Sequence, residues 1–430
     1  MLRITMTSSL LAFGLIAWST YAPAQTVRID QLAHEAALNE AKQRRQAFEE
    51  HGVVPKVPRS LSENPDDPEY VFGGYSRIAT EDEAREAMLH SREPIAELDD
   101  DYDRSQDQDL GVFINGEGEM WHWRPRDRKR TIAEAKAALG LSADAQESPA
   151  EFGTGFDDPA DAGWESRSSK LQVTKKEAII GNTDSRSIRS ADSGHCMNCS
   201  PWRMIGALEP NGQSTNSPNA RCTATKIGPR HLLTAGHCVH TGGSGGALVT
   251  RDWWGGQDGM NFYANGGDAS PNGIRDIEWY WIHPNWMSSG QYNRDYAVLM
   301  LYDSASTVGL GWFGYKVDWT LANTSAWNFG YPAWGNTCAN SNWANNSCRN
   351  SMWGMSAKIT RTTSRMAYYK HDTQGGHSGS AIYQYNGGNR KIVAIHKGAY
   401  NGIENRGVKI TNEVFDNISA VKAAWPSNFD

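Results

Sequence analysis

The sequence of 430 residues predicts an all-β body of antiparallel sandwich or barrel type, finished by one helix and preceded by a mixed, partly helical region. From about Ile179 onward, short apolar runs alternate with Gly, Asn and Trp, and turn dipeptides recur at short intervals. That is the pattern of short strands joined by tight connections. Examples are 230-RHLLTA-235, 296-YAVLML-301, and 380-SAIYQY-385 joined through Asn386-Gly387-Gly388-Asn389 to 391-KIVAIH-396. The closing stretch 411-TNEVFDNISAVKAAW-425 instead repeats Val414, Ile418, Val421 and Trp425 at helical spacing, with Thr411 placed to cap it and Glu413 in its first turn.

The N-terminal residues carry Arg3, an apolar run, and Ala22-Pro23-Ala24, a small-x-small signal. This reads as a secretory signal peptide cut after Ala24. The run is short for a membrane anchor, which is the alternative, and no later segment is apolar for long enough to span a bilayer. Residues 25–177 contain no cysteine. They hold two helix-like patches, 29-IDQLAHEAALNEAKQRRQAFEEHG-52 and 131-TIAEAKAALGL-141, around the acidic 98-LDDDYDRSQDQD-109. A formal net charge of -7 argues against a nucleic-acid partner.

All six cysteines lie between Cys196 and Cys348, which suits an oxidising compartment and up to three disulfides. Cys222 and Cys238 bracket a short apolar run, and Cys338 and Cys348 an Asn-rich loop. Cys196-Met-Asn-Cys199 has the spacing of a redox dithiol or half a metal site. No second such pair lies near it, and a local structural disulfide Cys196–Cys199 is the preferred reading.

The chemistry centres on 371-HDTQGGHSGSAIY-383, where Ser378 sits among glycines one residue short of a G-x-S-x-G elbow. A serine needs a base, and the base needs a carboxylate to fix its tautomer. The α/β-hydrolase order of Ser, acid, His fails, because no Asp or Glu lies between Ser378 and His396, the one downstream histidine. The order His, Asp, Ser is available. In 222-CTATKIGPRHLLTAGHC-238 small residues present His237 at a strand end, and in 293-NRDYAVLML-301 Asp295 heads an apolar strand. Each element alone has a plainer meaning: a buried structural His beside a disulfide, a solvated turn Asp, a glycine-rich hairpin. Their order and co-occurrence favour chemistry.

Thr234-Ala235-Gly236-His237-Cys238, Asn293-Arg294-Asp295-Tyr296-Ala297-Val298-Leu299 and Gly375-Gly376-His377-Ser378-Gly379-Ser380 together resemble the chymotrypsin-like serine proteases. The closer resemblance is to the secreted bacterial glutamyl endopeptidases, through Asp372-Thr373-Gln374-Gly375-Gly376, 393-VAIHKG-398 and 405-NRGVKITNEVFDNI-418. It covers roughly residue 179 to the C-terminus and implies two antiparallel β-barrels with the active site between them, about 178–310 and 311–430, and a C-terminal helix. It further implies Ser378 as nucleophile, His237 as general acid and base, Asp295 as its orienting carboxylate, and the N–H groups of Gly376 and Ser378 as the oxyanion hole. No cofactor or metal is implied, and no EF-hand-like loop is present. The implied partners are protein and peptide substrates and the chain's own propeptide, with no membrane and a monomeric enzyme. The contrasting class, a binding module on a protease-like scaffold, is weakened because all three triad positions are filled.

The resemblance also implies cleavage after Glu, with the hydroxyl of Thr373 and the imidazole of His396 receiving the carboxylate. Asp372 offers the opposite reading, a pocket for a basic side chain, and His396 has a plainer one as a strand histidine. His377 occupies the place where pancreatic-type zymogens carry an Asp for the new N-terminal amine, so activation departs from that route. Ala178-Ile179-Ile180-Gly181 resembles a mature start and follows Glu177 directly. The expected division is a signal peptide over 1–24, a propeptide over 25–177 and a protease domain over 178–430, secreted and matured at Glu177. Lys175-Lys176 supports cleavage by another protease instead.

Overall fold

A computed structural model describes residues 36, 39–89, 109–150, 186–189, 199–210, 222–249, 260–264, 274–302, 310–332, 352–386, 389–400 and 402–425. Ala24, Glu177, Ala178, Cys196, Cys338 and Cys348 lie outside them, as do the processing and pairing expectations that rest on those residues.

The body is two closed antiparallel barrels of six strands each. The first runs in ring order Ile274–Ile282, Met260–Ala264, Ile205–Pro210, Cys222–Lys226, His231–Thr234 and Ala297–Leu301, closing on Ile274–Ile282. The second runs Asn389–Tyr400, Ala381–Asn386, Ser325–Gly330, Met352–Thr362, Met366–Tyr369 and Glu404–Lys409, closing on Asn389–Tyr400. Closure removes the exposed edges that an open sheet would present. Ala297–Leu301 is apolar at every position rather than alternating, because both of its faces are covered and all five residues are buried.

The C-terminal helix, Asn412–Ala424, starts where Thr411 accepts the Val414 N–H on its hydroxyl at 3.3 Å. Its buried stripe of Val414, Ile418 and Val421 lies against the body. Trp425 beyond it reaches the first barrel, 6.2 Å ring to ring from Trp279.

Residues 39–89 and 109–150 are bonded into the first barrel. Strand Gly111–Asn115 pairs antiparallel with Trp279–Ile282 and continues the sheet through Glu119–Trp123 to Tyr70–Tyr75. Phe113, fully buried, sits 5.9 Å from the Trp425 ring, and Trp121 and Trp123 join the same hydrophobic cluster as Trp281. Helix Arg128–Ala138 lies along the C-terminal helix, with Lys136 on Asp416 at 2.6 Å. Helix Glu81–Leu89 packs against the turn Gly236–Cys238. Apolar area removed from water at about 25 cal/mol per Å² makes such a shared core cooperative with the barrel it covers.

The expected barrel boundary needs one correction: strand Ser187–Arg189 pairs with Met352–Gly354 and so belongs to the second barrel. The chain at that point crosses to the half that holds Ser378, because the edge of Met352–Thr362 is open there to receive it.

Candidate active site

His237 and Asp295 meet because two adjacent strands end together. Ala297 pairs with Thr234, so the turn Gly236–Cys238 after one strand lies beside the turn Tyr292–Arg294 before the other. The Cys222–Cys238 disulfide fastens the first turn. Cys199 is also disulfide-bonded. Asp295 is fully buried, and its Oδ1 accepts the His237 N–H at 2.7 Å while its Oδ2 takes the ring at Nδ1, 2.8 Å away. An ionised carboxylate only accepts, so Nδ1 carries a proton, and in the neutral ring Nε2 holds the lone pair. That Nε2 is buried and has no hydrogen-bond partner among the described residues. Burial alone would raise the Asp295 carboxyl, but His237 and Lys397 hold it well below the usual carboxylate range.

Ser378 comes from the other barrel, on the turn before strand Ala381–Asn386. Gly376 has φ 101°, a left-handed conformation that favours glycine. At Gly379, φ 84°, a Cβ would lie 2.1 Å from Thr234 Oγ1 and 2.3 Å from the Thr223 carbonyl, so only hydrogen fits where the barrels touch. Thr223 ties this turn to the first barrel twice: its Oγ1 donates to the Gly376 carbonyl at 2.8 Å and its N–H to the Ser378 carbonyl at 2.8 Å. Ser378 Oγ donates to the Lys397 carbonyl at 3.2 Å. His377 is fully buried, with Nε2 at 3.1 Å from the Trp353 carbonyl and Nδ1 at 3.3 Å from the Gln374 N–H. Burial holds its pKa well below the ordinary value, so the neutral ring pins the turn.

Thr373 and His396 are both fully buried around the same turn. His396 pairs with it through backbone bonds, its N–H donating to the Ser380 carbonyl and its carbonyl accepting the Gly379 N–H, each at 2.8 Å. Its Nδ1 lies 2.7 Å from the Tyr369 hydroxyl. Thr373 Oγ1 has no hydrogen-bond partner among the described residues. Asp372 is buried, its N–H on Met355 Sδ at 3.1 Å. Arg186, also fully buried, donates to Gln374 Oε1 at 3.3 Å.

With this geometry stands a sequence match: residues 200–420 fit the pattern of the trypsin family. The chain belongs to the trypsin family. It is a serine endopeptidase of the chymotrypsin-like kind, and its likeness within the family is to glutamyl endopeptidases. It is 28% identical over 251 residues to the glutamyl endopeptidase of Bacillus licheniformis, covering 56% of this chain and 68% of that protein. It is 27% identical over 288 residues to a Bacillus subtilis protein named extracellular metalloprotease, covering 66% of this chain and 83% of the relative. A solved Glu endopeptidase, in complex with MPD, matches with TM-score 0.45 and 26% identity over 57% of this chain and 99% of its own.

The name of the second relative raises the question of a metal. Among the described residues one cluster has ligand-like spacing, Cys222, His237 and Cys238. It does not fit a metal, since both sulfurs are joined in a disulfide and His237 Nδ1 is committed to Asp295.

Lys397, Thr223, Tyr369 and Arg186 line the site without a sequence signal that marks them. Lys397 was hidden by strand alternation: as the neighbour of a buried His396 it reads as pointing to solvent, whereas that face of the strand meets the first barrel. Thr223 and Tyr369 act by tertiary contact, which local pattern does not announce.

Proposed function

We propose that the protein is a secreted endopeptidase made as a proenzyme, hydrolysing peptide bonds through an acyl-enzyme and preferring Glu, less so Asp, at the residue before the cleaved bond. Ser378 attacks the carbonyl. Its Oγ turns from the Lys397 carbonyl to the lone pair of His237 Nε2, which takes the proton and later gives it to the leaving amine. Asp295 keeps the imidazole in the tautomer this requires. The N–H groups of Gly376 and Ser378 receive the oxyanion, each donor worth about 2.7 to 4 kcal/mol in this kind of site.

The observation that carries the Glu preference is that the segment around Ser378 is lined by a buried cation and by buried donors. Arg186, Thr373 and His396 are all fully buried there. A carboxylate gains from each, while a guanidinium is repelled by Arg186 at low local dielectric. With the Tyr369 hydroxyl donating its hydrogen bond to His396 Nδ1, the neutral ring carries its N–H on Nε2, the form that donates to a carboxylate. Asp372 supports the rival preference for basic residues.

Residues 25–177 serve as the propeptide, with cleavage after Glu177 by the enzyme itself. The sharing of sheet and core by residues 39–89 and 109–150 supports a folding role over that of a separately attached binding domain. Cleavage-site profiling of the mature enzyme on a peptide mixture tests the specificity. Cuts after Glu are expected to dominate; cuts after Arg or Lys with Glu sites untouched would reverse the assignment.

A further inference from the structure

We propose that Lys397 is a positioning residue that locks the two halves of the site together, its ammonium on Asp295 of the first barrel and its carbonyl on Ser378 of the second. The inference rests on the roles given above to Ser378, His237 and Asp295, and adds a fourth residue to them.

Lys397 lies on strand Asn389–Tyr400, directly after His396. Its Nζ donates to Asp295 Oδ2 at 2.5 Å, and the two side chains are 1% and 0% exposed. A lysine buried this deeply is tolerated when its charge is compensated, and the same holds for the carboxylate it meets. Asp295 thus accepts three donors: the His237 N–H on Oδ1, and both His237 Nδ1–H and the ammonium on Oδ2. Three donors over-determine the plane of the carboxylate, and through it the plane of the imidazole. The main chain of the same residue accepts the Ser378 hydroxyl. One residue therefore touches the acid and the nucleophile, which sit on different barrels.

The surroundings make the lock depend on charge. The ammonium faces Asp295 and, beside it, His237 from the first barrel, the Trp286 ring at 5.2 Å, and Arg406 from strand Glu404–Lys409. Burial pulls the Lys397 pKa below its ordinary value, Asp295 pushes it back up, and Arg406 pulls it down again, with a net lowering. On raising pH the ammonium loses its proton before a solvated lysine does, and the tether to Asp295 goes with it.

The test compares wild type with Lys397→Arg, Lys397→Gln and Lys397→Met in pH profiles of kcat and KM and in the rate of fluorophosphonate labelling. Wild type is expected to lose labelling rate reversibly on the alkaline side, below lysine's ordinary pKa, while still folded. Lys397→Arg keeps its charge and moves that limb to higher pH. Lys397→Gln and Lys397→Met lack the limb and lose about tenfold or more in kcat with KM changed less than about twofold. An Arg variant with the wild-type limb overturns the proposal, as do Gln and Met variants with wild-type kcat. Should the neutral variants not fold, a wild-type rate that stays flat up to lysine's ordinary pKa overturns it equally. Wild type that is not labelled at all would instead strike down the assignment of Ser378, so the two failures are distinct.

Discussion

The first barrel supplies His237 and Asp295 from neighbouring strand ends, and the second supplies Ser378 from a glycine turn; the two are stabilised in different ways. The first pairs its strand Ile274–Ile282 with Gly111–Asn115 and carries a cluster of buried tryptophans across that junction. The second closes on itself around a small interior of Leu321, Ala326, Ile359, Ala367, Tyr369, Ile382, Val393 and Ala394, while its Phe329, Met352, Tyr368, Tyr383 and Ile395 join the core of the first. It is linked back to the first by Thr223, by Lys397 and by the C-terminal helix. The His237–Asp295 pair is thus a property of one barrel, but the proposed complete site is a property of the joint. Substitutions far from Ser378 are expected to act according to whether they loosen a barrel or the joint.

The largest effect is expected at the junction with residues 39–150. Phe113→Ala, made in Ser378→Ala protein so that no self-cleavage intervenes, is expected to cost about 3 to 5 kcal/mol. Thermal unfolding should show one transition, moved as a whole, because Phe113 packs with Trp123 and Trp425 in a core common to segment and barrel. Two transitions, with only one displaced, would mean that residues 39–150 are an independent domain.

A smaller effect is expected at the joint itself. Glu413, on the C-terminal helix, is buried among His283 at 3.0 Å, Arg294 at 3.1 Å and Arg365 at 2.7 Å, and so ties Arg294, next to Asp295, to the second barrel. Burial alone would raise its carboxyl, yet His283 and the two arginines hold it well below the ordinary range. A carboxyl depressed on folding contributes stability that is complete above the unfolded pKa, about 4.3, and lost as pH falls below it. Glu413→Gln is therefore expected to cost about 3 kcal/mol at pH 7, by stranding buried arginines. The gap to wild type should narrow below about pH 4. A gap independent of pH, measured by denaturant unfolding, would place the effect in packing rather than charge.

The strands and the terminal helix were legible in the sequence because periodicity and turns are local signals: His231–Thr234 and Asn412–Ala424 fall where 230-RHLLTA-235 and the Thr411 cap place them. His237, Asp295 and Ser378 stand out in the sequence because each sits at a strand end beside small or turn-forming residues, and the structure joins the first two by hydrogen bonds. The strands Tyr70–Tyr75, Gly111–Asn115 and Glu119–Trp123 were not legible, since they are few, embedded in charged sequence, and stable only when paired with the barrel. The crossing of Ser187–Arg189 to the second barrel was hidden for the same reason. Long-range pairing leaves no mark on a short strand.

The account stands most directly on Ser378. Fluorophosphonate labelling of the mature protein, followed by mapping of the modified peptide, is expected to place the adduct on Ser378, with labelling and peptide hydrolysis both abolished in Ser378→Ala. An adduct on another residue, or near wild-type turnover by purified Ser378→Ala protein, would contradict it.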